Sequence, residues 1–239
     1  MSEPLFDFQP QPKGTDASVI TDREAVAARL VELHETLNEA LLKQANEHGY
    51  SARIEATELH APTAAGSYHW HAALYALRYS LAALGWVKQD LRNCPFIVSP
   101  DRKVAIAVMT GDPDTGLEKG KPTNQAQKGA VLRQAVDQNR QLELFDPSIV
   151  SDLAKSKDAT QLWILLYHVA IGTDGKPEIR AELSVPSRFE RKQIIGWSQR
   201  LILESIRPDS DTFMDEDQPT DPIAPTGPID VPVERRTGT

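Results

Sequence analysis

The chain has 239 residues, 40% of them hydrophobic and 25% charged. That balance is close to the globular average and excludes collagen-like, wholly disordered and transmembrane classes. A single cysteine, Cys94, excludes an intramolecular disulfide framework and any cysteine-based zinc cage. The net charge of −8 belongs to the ends: residues 208–239 hold eight acidic residues against Arg235 and Arg236, and residues 1–17 add a net −2. The body between them is neutral, which argues against global attraction to nucleic acid or to an anionic membrane.

Residues 1–17 contain Pro4, Pro10, Pro12 and Gly14 and read as a disordered arm, in which Leu5, Phe6 and Phe8 are able to dock locally. Met1-Ser2-Glu3-Pro4 lacks the basic and apolar regions of a signal peptide, and no window approaches the ~18 consecutive apolar residues of a spanning helix. A cytoplasmic protein with no membrane association is expected. Thr21-Asp22-Arg23-Glu24 forms a capping box, and Val26, Leu30, Leu33, Leu37 and Leu41 then recur at helical spacing until Gly49. This predicts one amphipathic helix of about seven turns. The alternation of Ala52, Ile54 and Ala56 with Arg53, Glu55 and Thr57 predicts a strand over 50–59.

From Ser67 to Leu84 the chain is apolar almost all round and stops at Gly85, the pattern of a buried central helix. Residues 96–98 and 104–109 are β-rich runs around Ser99-Pro100-Asp101-Arg102 and predict a hairpin. A long Gly/Pro/Asp loop over 110–124 leads into a helix over 125–140. A second hairpin is expected from 162–171 and 178–185 around Gly172-Thr173-Asp174-Gly175, and a final strand from the alternation starting at Ile195. The six prolines and eight acidic residues of 208–239 predict a disordered acidic tail. The fold expected is α+β with a single globular domain over 18–207: a mainly antiparallel sheet built from two hairpins plus a C-terminal strand, packed on one face against about three helices.

Chemistry concentrates in the 110–124 loop, which runs from a predicted strand into a predicted helix, where phosphate loops sit. Gly116-Leu-Glu-Lys-Gly120-Lys121-Pro122-Thr123 approaches a Walker A loop but has three residues between its glycines instead of four, and Pro122 takes the hydroxyl position and removes an N–H. Lys119, Lys121, Lys128, Arg133 and Arg140 against Glu118 and Asp137 give 117–140 a local charge of +3. They are candidates for holding a phosphate, a nucleic-acid backbone or an acidic protein segment.

Asp112 and Asp114, with Glu118 nearby, are candidate oxygen ligands for magnesium or manganese and candidate catalytic carboxylates. The same residues are turn formers, since an aspartate side chain caps its own backbone. Glu190-Arg191-Lys192 offers a carboxylate-x-lysine fragment without an upstream aspartate. His60, His69 and His71 are candidate metal ligands, although residues two apart on a helix point away from each other, and an aromatic cluster with Trp70 and Tyr75 in the core is the simpler reading. No Gly-x-Ser-x-Gly elbow places a nucleophile, and Cys94 before Pro95 reads as a small buried hydrophobe.

The leading expectation is a non-enzymatic interaction protein using the 110–140 loop and basic helix, and the acidic tail, to engage a partner. That partner is expected to be another protein, with nucleic acid as the alternative through the basic stretch, and no resident cofactor is expected. A metal-dependent enzyme acting on a phosphate-containing substrate or nucleic acid stands second, using Asp112 and Asp114 with Lys119 or Lys121. An inhibitor presenting the acidic tail as a nucleic-acid mimic stands third.

Overall fold

The structure is a computed structural model and describes residues 17–91, 94–126, 132–137, 139 and 160–208. Strand β1 (Ser18–Ile20) precedes helices α1 (Arg23–Leu33), α2 (Glu39–Ile54) and α3 (Ala64–Ala82). Strands β2 (Val87–Leu91), β3 (Cys94–Val98), β4 (Val104–Thr110), β5 (Gln161–Ile171), β6 (Pro177–Glu190) and β7 (Gln193–Ile202) follow. A fourth, short helix covers 132–137.

The predicted long helix is in fact two. Asp22, not Thr21, caps α1 by accepting the Ala25 N–H. The chain then leaves helical geometry at His34, and Asn38 opens α2 by accepting the Leu41 N–H, because Ser, Thr, Asp and Asn side chains replace the missing first-turn acceptors. Gly49 does not end α2. A Cβ at that position would lie 2.4 Å from His69 Cδ2 and 2.9 Å from the His69 carbonyl, so glycine here brings α2 and α3 into close approach. Helical geometry continues to Ile54, and the strand expected over 50–59 is not formed.

The seven strands form one mixed sheet in the order β1-β7-β6-β5-β4-β3-β2. Both expected hairpins are present, as β3–β4 and β5–β6. The sheet is nonetheless not the mainly antiparallel one expected from two hairpins and a final strand. β4 and β5 run parallel, from Val104↔Gln161 to Thr110↔Tyr167, because the intervening chain crosses back instead of turning. β1 also pairs parallel to β7, and β2 adds an edge strand. β1 and β2 are short, and neither shows clean alternation of buried and exposed residues, which is why periodicity did not reveal them.

The sheet is covered on both faces. On the first, Val26, Leu30, Leu42, Leu74 and Leu77 of α1–α3 meet Ile106, Trp163, Leu165 and Leu183. On the second, Leu132 and Val136 of the short helix meet Ala107, Met109, Ile164 and Leu166. The register of β6 and β7 shifts repeatedly between Val185 and Phe189, and such bulges bend a hairpin. Phe189, Ile194 and Trp197 pack into that second core.

Candidate functional site

The 111–124 loop is anchored along its length. Gly111 and Asn124 form a β-bridge, Asp112 donates its N–H to the Thr123 carbonyl, and the Gln125 N–H bonds Thr110 O, so the loop closes on a short ladder. Asp112 Oδ2 accepts the Thr123 N–H at 2.9 Å and the Thr123 hydroxyl at 2.8 Å, while its Oδ1 accepts the Asp114 N–H. Asp114 Oδ2 in turn accepts the Lys121 N–H at 2.9 Å. The two aspartates therefore act as internal caps, the role their turn-forming chemistry anticipates. Glu118 is exposed on the outside of the loop.

Beneath the loop lies a buried ion pair. Glu182 is 0% and Arg200 2% exposed, and both point to the second face, since Glu182 registers with Leu166 and Arg200 with Ser184. Arg200 donates Nε to Glu182 Oε1 at 3.0 Å and Nη2 to Oε2 at 2.5 Å. Its remaining donors hold the loop through the carbonyls of Gly120 at 2.7 Å and Leu117 at 3.0 Å. Glu182 also accepts the Gly116 N–H and the Ser184 hydroxyl, which satisfies both of its oxygens. Gly116 has φ +74°, and a Cβ there would lie 2.8 Å from Arg180 Cβ. Trp197 Nε1 donates to Pro122 O at 2.7 Å, and Asn124 Oδ1 accepts the Ile194 N–H at 2.6 Å.

This anchoring carries cations outward. Lys119 and Lys121 are exposed at the loop's outer edge. The β6–β7 turn borders the far end of the loop, where Gln193 Nε2 donates to the Asn124 carbonyl and the Ile194 N–H to Asn124 Oδ1. Arg191 and Lys192 form that turn with φ of 48° and 67°. A tight hairpin turn of this kind needs positive φ at both central residues and favours Asn-Gly, and a side chain other than Gly or Asn there costs on the order of 1 kcal/mol. Both residues are exposed, as is Arg188, which pairs with Glu190 at 3.5 Å. Among the described residues none forms an ion pair with Lys119, Lys121, Arg191 or Lys192. Arg133 is exposed on the short helix and pairs loosely with Asp137 at 4.0 Å, whereas Lys128 and Arg140 lie outside the described residues.

No family model, curated protein or solved structure matches this chain. The hairpin cations were hard to find in the sequence: Arg191-Lys192 carries no turn signal, and Glu190 is the last residue of β6.

The three histidines do not converge. His69 is fully buried on α3, with its ring stacked 4.0 Å from that of Tyr167 on the first face of the sheet. Neither ring nitrogen has a hydrogen-bond partner, and burial, with a smaller contribution from Arg53, lowers its pKa to about 3. His71 is exposed edge-on to Trp70, and His60 Nδ1 accepts the Thr57 N–H. Among the described residues no group of three or more His, Cys, Asp or Glu side chains is placed to hold a metal ion. Trp70 is half-buried and bonds Val108 O through Nε1, while Tyr75, expected in the core, is 69% exposed. Cys94 is half-buried against the second core. No helix among the described residues is long and apolar enough to cross a membrane.

Proposed function

We propose that this protein is a binding module that grips an acidic segment of a protein partner through the cations Lys119, Lys121, Arg188, Arg191 and Lys192. The observation that carries this reading is the β6–β7 turn, where two consecutive exposed cations occupy left-handed backbone positions that Asn-Gly would fill at lower cost. Strain of that kind persists where a side chain is needed for something other than folding. The loop supports the reading as well: its aspartates spend their oxygens on internal N–H groups, so its outer charge is set by Lys119 and Lys121 against Glu118. An acidic protein segment fits better than a nucleic acid, since the body is neutral and the cations are few and local, without the extended basic track a phosphate backbone takes.

The test uses the full chain and a fluorescein-labelled oligoglutamate peptide, read by anisotropy at several salt concentrations. Saturable binding that weakens steeply with salt, and that the double variant Arg191→Asn with Lys192→Gly reduces by roughly tenfold or more, is the expected result. No binding at low salt would overturn the proposal, and tighter capture of duplex DNA than of the peptide would move the partner to nucleic acid.

A further inference from the structure

Among the described residues the sheet ends at β2. β2 pairs with β3 alone, and among the described residues no strand lies on its other side. Which of its main-chain groups face outward follows from the neighbouring pairs. Pro95 has no N–H and stands opposite Asp90, and the Ser99 N–H bonds Val104 O across the β3–β4 hairpin. Ser99, Ile97 and Pro95 thus turn their main chain towards β4, while Val98, Phe96 and Cys94 turn towards β2. The β2–β3 ladder therefore runs through Val87, Gln89 and Leu91, and the N–H and C=O groups of Lys88 and Asp90 point to the open side.

The side chains of this edge repeat in reverse. Val87-Lys88-Gln89-Asp90-Leu91 reads apolar, basic, neutral, acidic, apolar in either direction, apart from the change of sign that pairing requires. An antiparallel copy laid alongside with its two-fold at Gln89 sets Lys88 against Asp90 and Val87 against Leu91, on both sides of the axis. The outward main-chain groups of Lys88 and Asp90 are then opposite one another, as a hydrogen-bonded antiparallel pair demands. Asp90 is held in its charged form, because the hydrogen bond from Arg78 lowers its pKa. Arg78 uses only Asp90 Oδ1, at 2.5 Å, so Oδ2 remains for a second cation. Val87 and Leu91 are 62% and 44% exposed, and Tyr75 and Tyr79, stacked on α3 near Arg78, are 69% and 71% exposed. Natural edge strands are commonly blunted by proline, bulges or unmatched charge, and here the charges match a second copy.

We infer that the occupant of the β2 edge is a second copy of this chain, joined antiparallel about Gln89 into one continuous sheet across a two-fold dimer. The dimer goes beyond the cationic binding surface, which it would duplicate, and it stands or falls independently of it.

Sedimentation velocity on the full chain at tens of micromolar tests this. A species of twice the 26.5 kDa chain mass is expected. Lys88→Glu sets like charges together at two places and is expected to weaken the dimer roughly tenfold or more. Lys88→Pro removes an outward N–H without touching the β2–β3 ladder and has the same expected effect. Asp90→Lys alone is likewise impaired, and mixing it with Lys88→Glu restores association as a heterodimer. Lys88 is exposed and the first two variants leave Arg78–Asp90 intact, so they carry the test even where Asp90→Lys fails to fold. A monomeric wild type, or a dimer indifferent to Lys88→Glu and Lys88→Pro, overturns the inference. Slow hydrogen exchange at the Lys88 and Asp90 amides of a monomer would assign the edge to another segment of the chain, and equally overturns it.

Discussion

On one face of the sheet three helices rest on an apolar core in which Leu30, Leu42, Leu77, Trp163 and Leu165 are fully buried, whereas over β6 and β7 the other face is roofed by a loop whose carbonyls lie on a buried arginine. The first cover is non-directional and loses stability in proportion to the atoms removed. The second is directional: Arg200 reaches three partners at once, and removing it orphans all of them. A cover of that kind leaves its outer side chains unconstrained by packing, and it is there that Lys119 and Lys121 are presented.

The largest expected effect breaks the polar cover. Arg200→Met leaves Glu182 buried without its counter-charge and frees the carbonyls of Leu117 and Gly120, and is expected to cost about 3–5 kcal/mol in urea unfolding. Adding Glu182→Leu to Arg200→Met should recover part of that loss, as expected for a coupled pair.

The apolar cover should reveal itself through pH. His69 has a folded-state pKa depressed to about 3 by burial and, secondarily, by Arg53, while the unfolded chain binds a proton near 6.5. Between these values the unfolded state holds a proton that the folded state lacks. Stability is therefore complete above pH ~6.5 and falls as pH drops, by about 1.4 kcal/mol per unit. His69→Phe should flatten that slope in pH-dependent urea melts. Gly49→Ala, which drives a methyl against the same ring and the His69 carbonyl, is expected to cost about 1–3 kcal/mol in the same assay.

Two smaller changes probe the roof. Asp112→Ala strips the acceptor from the Thr123 N–H and hydroxyl and is expected to lower stability by about 1–2 kcal/mol, measured by thermal unfolding. Arg191→Asn with Lys192→Gly relieves two left-handed residues and should raise stability by on the order of 1 kcal/mol while weakening acidic ligands. A stabilised variant with undiminished binding would separate the strained turn from the binding surface.

The contrast also explains what the sequence disclosed. α3 and the two hairpins were legible because apolar periodicity and turn residues are local. The helix break at His34–Asn38 was hidden, since leucines on either side kept the spacing, and Gly49 read as a stop although it serves a tertiary contact with His69. The parallel β4–β5 pairing and the Glu182–Arg200 pair join distant parts of the chain and leave no local mark. The basic loop was visible from composition. The cations at Arg188, Arg191 and Lys192 were not, because the bonds that hold the β6–β7 turn beside Asn124 join residues 69 and 70 positions apart and leave no local mark.

In the proposed function the loop and the β6–β7 turn together form one cationic surface for an acidic segment. Hydrogen exchange of the full chain with and without saturating oligoglutamate tests it most directly. Added protection is expected at residues 117–126 and 187–194 together, with the α1–α3 face unchanged. Protection of only one of these segments, or protection centred on α1–α3, would contradict it.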